Sequence, residues 1–193
     1  IQNANSYRIG GETFLWRGPT GGGDNVFVGN TTNTTNTGFF STFVGTGAGT
    51  SQVDGNWNTA VGTRSARYNT SGDGNTYVGT AAGEGQSGLT TGSNNTFMGA
   101  FAAFLLTTGS ANTGIGILAL NDLADGNNNT ALGAFAGQNI TSASQNVLIG
   151  TNTGNTITTE GNNTLIGYNA QVPVGVTNST ALGHRAYASG SDV

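Results

Sequence analysis

The chain has 193 residues, of which 34 are Gly, only 7% are charged and none is Cys or Lys. A sequence rich in Gly, Asn and Thr disfavours helices, while the recurring Val, Ile, Leu and Phe argue against disorder. Five Arg against nine acidic residues give a net charge of −4, which excludes the basic stripe that a nucleic acid would need.

Residues 1–24 lack the repeat that fills the rest of the chain, and we predict that they form an N-terminal cap or junction. An open solenoid end exposes unpaired strand edges, which invite aggregation. Trp16 and Arg17 are predicted to plug the first coil. Residues 25–193 then form the repeat shaft.

A five-residue phrase recurs ten times from residue 25 onward. It reads Asn or Ser, then Thr or Val, a small or large apolar residue, an aliphatic residue and Gly. The copies begin at Asn25, Ser41, Asn58, Asn75, Asn95, Asn112, Asn129, Asn146, Asn163 and Ser179. The period of about 17 residues suits one coil of a parallel β-solenoid with two or three short strands. We therefore predict an all-β, parallel β-solenoid (a β-roll or β-helix) of about ten coils.

Two further positions repeat in phase and are predicted to point inward with the phrase. Small residues stand three positions after the closing Gly, at Ala48, Ser65, Ala82, Ala102, Ala119, Ala136, Ala170 and Ala186. Aliphatic residues stand seven positions after it, at Leu106, Leu123, Ile140, Ile157 and Val174. Each coil should thus have three inward anchors.

Side-chain alternation along a strand assigns the faces of the phrase. The fourth position is always aliphatic or Met, as at Ile149, and is predicted to face the lumen. The third position would then point outward, and its large members are Phe27, Phe43, Tyr77, Phe97, Leu148 and Leu165. An apolar stripe of this length is larger than soluble monomers tolerate. These six residues are therefore predicted to form the interface of a parallel homo-oligomer with cyclic symmetry.

The polar and glycine positions of the phrase have architectural interpretations. The first-position Asn side chains should stack into a ladder that exchanges amide hydrogen bonds between coils. The closing Gly fits a corner that needs positive φ or a close backbone approach.

Two phrases carry a family resemblance that extends over nearly the whole chain. Asn129-Thr-Ala-Leu-Gly133 with Ala136, and Ser179-Thr-Ala-Leu-Gly183 with Ala186, resemble the head repeats of trimeric autotransporter adhesins. This resemblance implies a left-handed parallel β-roll in a homotrimer. The opening, with Tyr7-Arg-Ile-Gly10 and Asn25-Val-Phe-Val-Gly29, is similar to tail-fibre-like proteins. In those proteins a shaft precedes an endosialidase-type intramolecular chaperone that cleaves itself off after trimerisation.

A candidate binding surface lies at two outward positions after the glycine corner. The second position after the Gly carries Arg64 and Phe101, among others, and the fifth carries Arg67, Glu84 and Phe104. Such a column could be a ligand patch, a subunit contact or a solvated wall.

One coil is three residues longer than its neighbours, and insertions in solenoids commonly lie on binding faces. This expansion, between Gly79 and Gly99, contains Glu84, Gln86 and Ser87. The predicted binding residues are therefore Glu84, Gln86, Ser87, Arg64 and Arg67.

Catalytic chemistry finds little support in the sequence. His184 is the only His, so a triad or a multi-His metal site cannot be built from one chain. Asp125 and Glu160 occupy similar positions of their repeats but are two coils apart, which is about 10 Å. Asp122 and Asp125 are closer together, and the sequence around them is typical of a solvated turn. A catalytic site composed of residues from two subunits is the alternative that the sequence leaves. We expect no enzyme activity, no metal and no cofactor.

The sequence therefore favours a structural and adhesive segment of an extracellular fibre, on a cell surface or on a virion or other particle. The expected partners are identical chains and a surface glycan or receptor, without nucleic acid and without membrane insertion in this segment. The alternative is an ice-binding or carbohydrate-binding β-solenoid. Ice binding would require a flat Thr-x-Thr column, and Thr151-Asn-Thr153 does not recur at the equivalent position of the other repeats.

Overall fold

The computed structural model describes the backbone of residues 2–3, 6–9 and 12–17, and describes residues 24–29, 36–86 and 90–192 together with their side chains. The strands in these ranges form one 13-stranded sheet whose order follows the chain. These ranges contain no helix that is long and apolar enough to cross a membrane. The predicted all-β fold is confirmed.

The strands are short and evenly spaced. The first three are β1 (Gln2–Asn3), β2 (Ser6–Ile9) and β3 (Glu12–Arg17). The ten strands of the repeat have three residues each: β4 (Val26–Val28), β5 (Thr42–Val44), β6 (Thr59–Val61), β7 (Thr76–Val78), β8 (Thr96–Met98), β9 (Thr113–Ile115), β10 (Thr130–Leu132), β11 (Val147–Ile149), β12 (Thr164–Ile166) and β13 (Thr180–Leu182).

Strands β4 to β13 pair in parallel, each with the same strand of the next repeat. Between β10 and β11, for example, Ala131 stands opposite Leu148. Equivalent residues of the phrase therefore stack into columns along the axis, which confirms one coil per repeat.

Among the described residues each coil has one strand, instead of the two or three that the repeat length suggests. Outside the strand the backbone still bonds from coil to coil, as from Leu120 N to Ala136 O at 3.0 Å. However, φ is +56° at Leu118 and +53° at Leu120. These left-handed residues alternate with their neighbours, and their backbone angles lie outside the extended β region. This part of the coil therefore cannot form a strand.

The assignment of the two strand faces was wrong. The third-position residues point into the lumen and are fully buried within one chain, at Phe27, Phe43, Tyr77, Phe97, Leu148 and Leu165. The fourth-position side chains lie outside, and Ile115 is 40% exposed. The reason is the Asn at the first position. Side chains alternate between the two faces of a strand. The first and third residues of the phrase therefore lie on the same face, which is the lumen because the Asn amide is buried, and the second and fourth residues lie on the opposite face.

The predicted interface residues therefore form the core. Phe27 and Phe43 stack with their ring centroids 4.9 Å apart, and Tyr77 stacks on Phe97 at 6.0 Å. Burial raises the pKa of the Tyr77 hydroxyl. A column that is filled in this way cannot contact a second chain.

The other inward anchors are confirmed with one exception. The small residues three positions after the Gly are buried or half-buried, and Leu106, Leu123, Ile140 and Ile157 are fully buried. Val174 is 74% exposed, and Val172 is buried beside the core instead. The repeat at that point has 16 residues and contains Pro173, which moves the anchor along the chain.

The asparagine ladder is confirmed and runs inside the solenoid. Oδ1 of Asn112 accepts hydrogen bonds from the backbone N and the side-chain Nδ2 of Asn129, at 2.9 and 3.0 Å. Nδ2 of Asn112 in turn donates to Oδ1 of Asn95 at 3.1 Å and to the carbonyl of Gly126 at 2.8 Å. Each amide is thus saturated by its own coil and its two neighbours, which compensates its burial.

The closing glycines form the predicted corners. Gly116 has a φ of +137°, and a Cβ there would lie 2.4 Å from the carbonyl oxygen of Gly133 in the next coil. Only glycine permits both the conformation and the approach.

An antiparallel meander covers the first coil. Strand β1 pairs with β2, β2 with β3, and β3 with β4, where Trp16 stands opposite Phe27. The edge of β4 is therefore hydrogen-bonded and unavailable for further pairing. The side chains of Trp16 and Arg17 lie outside the described residues, so their role as a plug stays a prediction.

Candidate functional site

One uncharged surface follows the whole row of strands β4 to β13, and we call it the outer sheet face. It consists of the second and fourth residues of each phrase, which are the first and last residues of each three-residue strand. The second residue of the phrase is Thr in eight of the ten repeats, at Thr42, Thr59, Thr76, Thr96, Thr113, Thr130, Thr164 and Thr180. The fourth residue is Val28, Val44, Val61, Val78, Met98, Ile115, Leu132, Ile149, Ile166 or Leu182. At about 4.8 Å between strands, this face is about 43 Å long.

The outer sheet face exposes apolar side chains at regular intervals. Val61, Met98 and Ile115 are each about two fifths exposed, and Leu182 is 72% exposed. A continuous apolar stripe without charge is unusual on soluble monomers, which makes this face a candidate interaction surface. Sequence reasoning found such a stripe but placed it on the third column, which fills the lumen.

A second surface is the group of Arg64, Arg67 and Glu84, which we call the charged cluster. The guanidinium nitrogens of Arg64 and Arg67 lie 3.6 and 3.5 Å from Oε1 of Glu84. The Glu84 side chain is 5% exposed, whereas those of Arg64 and Arg67 are 43% and 38% exposed. Arg67 also lies over the ring of Tyr68, 4.9 Å from its centroid. The carboxylate is thus buried beneath two cations.

Stacking of successive coils brings the charged cluster together. Arg67 and Glu84 are 17 residues apart and occupy the same position of neighbouring coils, where Tyr68 N donates to Glu84 O at 2.9 Å. Three of the five predicted binding residues therefore meet. Gln86 is exposed and makes no hydrogen bond or ion pair with these three described side chains, and Ser87 lies outside the described residues.

Two aromatic side chains lie on the coil after Glu84. Phe104 follows Glu84 in the same column, and Gly85 N donates to Phe104 O at 3.0 Å. The rings of Phe101 and Phe104 meet edge to face, with centroids 5.7 Å apart. Both side chains are half-buried, so each keeps part of its surface open to a ligand.

Glu160, which the sequence analysis considered and disfavoured as one of a catalytic carboxylate pair, is bound by backbone groups. Its oxygens accept hydrogen bonds from the N–H groups of Thr158 at 2.7 Å, Thr159 at 2.9 Å and Gly175 at 2.7 Å. Burial acts to raise the pKa of Glu160, but the backbone donors outweigh it and lower the pKa from 4.5 to about 2. The contacts fasten one coil to the next, which is a structural role.

We expect Glu160 to contribute acid sensitivity. A carboxyl whose pKa is lower in the folded state stabilises the fold above its unfolded pKa and loses that contribution as the pH falls towards the folded value. The wild-type chain should therefore lose about 3 kcal/mol from this group between pH 6 and pH 2. Urea unfolding of Glu160→Gln at both pH values should show a pH dependence that is smaller by this amount. An equal loss of unfolding free energy in the wild type and in Glu160→Gln would contradict this role of Glu160.

Within the described part of the chain, no three His, Cys, Asp or Glu side chains come together as a metal site would require. Comparison of the chain with protein-family models, with curated proteins and with solved structures gave no match. The two surfaces described above are therefore the basis for a functional proposal.

Proposed function

We propose that this chain is a structural segment of an extracellular fibre in which parallel copies pack through their outer sheet faces. The observation that carries the proposal is the uncharged stripe of aliphatic side chains on strands β4 to β13. Water contact with such a stripe is unfavourable by about 25 cal/mol per Å². Association with a surface of the same spacing removes this cost.

A second copy of the chain is the occupant that fits best. Every coil presents the same two columns, so an identical solenoid in parallel orientation offers an equivalent residue at every level. Cyclic symmetry then uses the same face of each subunit. The family resemblance of phrases such as Asn129-Thr-Ala-Leu-Gly133 favours three copies. The cap at one end and the repeated columns suit a shaft that holds or forms a receptor-binding surface.

Charge in the middle of the outer sheet face should break this assembly. We expect Ile115→Asp to convert the trimer into monomers, because three carboxylates would lie desolvated near one axis. Light scattering on the purified chain should give about three times 19.3 kDa for the wild type and about one times that mass for the variant.

The matched control is Val174→Asp, which places the same charge at a side chain that is exposed but outside the strands. This variant should keep the mass of the wild type. A stable wild-type monomer at micromolar concentration, or an unchanged mass for Ile115→Asp, would overturn the proposal.

The regular Thr column favours ice binding as a second candidate. The eight Thr side chains are spaced by the strand separation on a face without charge, a more regular array than Thr151 and Thr153 had suggested. A free outer sheet face is required for this function. A monomeric wild type that lowers the freezing point without changing the melting point would therefore favour ice binding over the fibre.

A further inference from the structure

The charged cluster carries an excess of positive charge on a chain that is negative overall. One carboxylate, Glu84, faces two guanidinium groups, Arg64 and Arg67. Arg185 is the one other arginine whose side chain lies in the described part of the chain. The cluster is therefore a local cationic site on a wall that is otherwise mostly neutral.

The two guanidinium groups have unused hydrogen-bond donors. Their distances to Glu84 exceed the usual range for a charge-assisted hydrogen bond, and neither group hydrogen-bonds to another described residue. Each carries five N–H donors in a planar fork, which matches a carboxylate or sulfate group. Since Glu84 is buried while Arg64 and Arg67 are partly exposed, the unused donors are open to solvent.

An aromatic pair lies next to these donors along the axis. Phe104 is two coils beyond Arg67 in the same column, about 10 Å away. Phe101 adopts a φ of +57°, a conformation that is costly for a bulky residue and easier for Asn. The same position is occupied by Leu118 and Phe135 in the next two coils and by Asn152 and Asn169 further along, so the backbone at this position also accepts an Asn.

We propose that this wall binds an acidic polysaccharide. A carboxylate or sulfate of the sugar would take the open donors of Arg64 and Arg67, and the apolar face of a neighbouring ring would pack on Phe101 and Phe104. An extended peptide fits less well, because the backbone groups here already bond between coils and leave no strand edge for pairing. The site lies after the glycine corner, outside the outer sheet face, so the inference goes beyond the proposed assembly and does not depend on it.

Calorimetric titration of the complete chain tests this site with three polymers. Polygalacturonate supplies carboxylates, dextran sulfate supplies sulfates, and dextran is uncharged. We expect binding to at least one of the two polyanions, weakened by salt, and none to dextran. Whichever polyanion binds more tightly shows whether the site prefers carboxylate or sulfate groups. Binding to dextran with the same affinity, or to neither polyanion, would overturn the proposal.

The decisive variant replaces Arg64, Arg67 and Glu84 together by Gln, which avoids a buried carboxylate without a partner. Its affinity should fall by about tenfold or more, while Arg185→Gln keeps the wild-type affinity. Equal losses in the two proteins would show unspecific attraction and would contradict the site. Retained affinity in the triple variant would contradict it as well.

Phe101→Asn separates binding from folding. The variant relieves the left-handed strain, so its melting temperature should stay the same or rise, while its affinity for the polyanion should fall by about threefold or more. Unchanged affinity would remove the aromatic pair from the site. Polyglutamate that binds as tightly as the polysaccharides would show that the wall recognises acidic chains in general, which would overturn the assignment to a sugar.

Discussion

Leu148→Asp should unfold the solenoid, whereas Ile149→Asp should leave it folded. Leu148 is fully buried in the apolar core of the lumen, where a carboxylate loses its hydration. We expect a loss of about 5 kcal/mol or more, which is comparable with the whole stability of a domain. Ile149 is half-buried on the outer sheet face, so an Asp there reaches water.

Circular dichroism and urea unfolding measure this contrast directly. The Leu148→Asp chain should lose its β-sheet spectrum, while Ile149→Asp should keep it with a cost of about 1 kcal/mol in the isolated subunit. Ile149→Asp should also dissociate the proposed assembly, so both variants are compared with the wild type at a concentration where it is monomeric. The reverse order of stabilities would place the fourth position in the lumen after all.

A single substitution in the asparagine ladder should be nearly as damaging. Asn112→Leu has a similar volume but removes the acceptor of Asn129 N and Nδ2 and the donor to Gly126 O. Each buried polar group that loses its partner costs about 1 to 3 kcal/mol. We therefore expect a loss of about 3 to 6 kcal/mol in the free energy of unfolding.

Asn139→Leu is the matched control for the ladder. Asn139 is exposed, and its Nδ2 donates one hydrogen bond to the carbonyl of Asn155 at 2.7 Å. Because water can replace that donor, the same substitution should cost about 1 kcal/mol or less. Similar unfolding midpoints for the two variants would mean that the ladder does not stabilise the coils.

The period of the sequence predicts the solenoid because equivalent residues must meet in neighbouring coils. The ladder at Asn112 and the corner at Gly116 follow from the same repetition, since each residue type suits one geometry. The faces of the strand did not follow from it. Thr and Val are compatible with either side of a sheet, and the apolar character of both the third and the fourth columns offered no contrast between inside and outside.

The correct faces were nevertheless encoded in the phrase. A ladder of amides needs protection from water, so Asn112 had to be inside, and Gly114, two residues later, had to be inside with it. The sequence contained a weaker indication that each coil has a single strand. Gly47 and Asn152 stand two residues after a corner and tolerate positive φ, but Leu118 occupies the same place and gives no hint of it.

Arg64, Arg67 and Glu84 were predicted as binding residues from their phase and from the longer coil, and the three side chains do lie together. What the sequence could not provide was the burial of Glu84, whose side chain is 5% exposed beside Arg64 and Arg67. The order of the layers, with a buried carboxylate under two open cations, is a property of tertiary packing.

The backbone hydrogen bonds of the repeat point along the axis, from each coil to the next, as between Thr130 N and Asn146 O at 2.8 Å. Tension applied to the two ends of the shaft therefore stretches all the bonds of one coil boundary at the same time. The covalent chain crosses that boundary only once, and it does not become taut until the boundary has opened. Extension of this segment should consequently proceed in discrete steps of one coil, each releasing about 17 residues of slack, rather than by gradual lengthening.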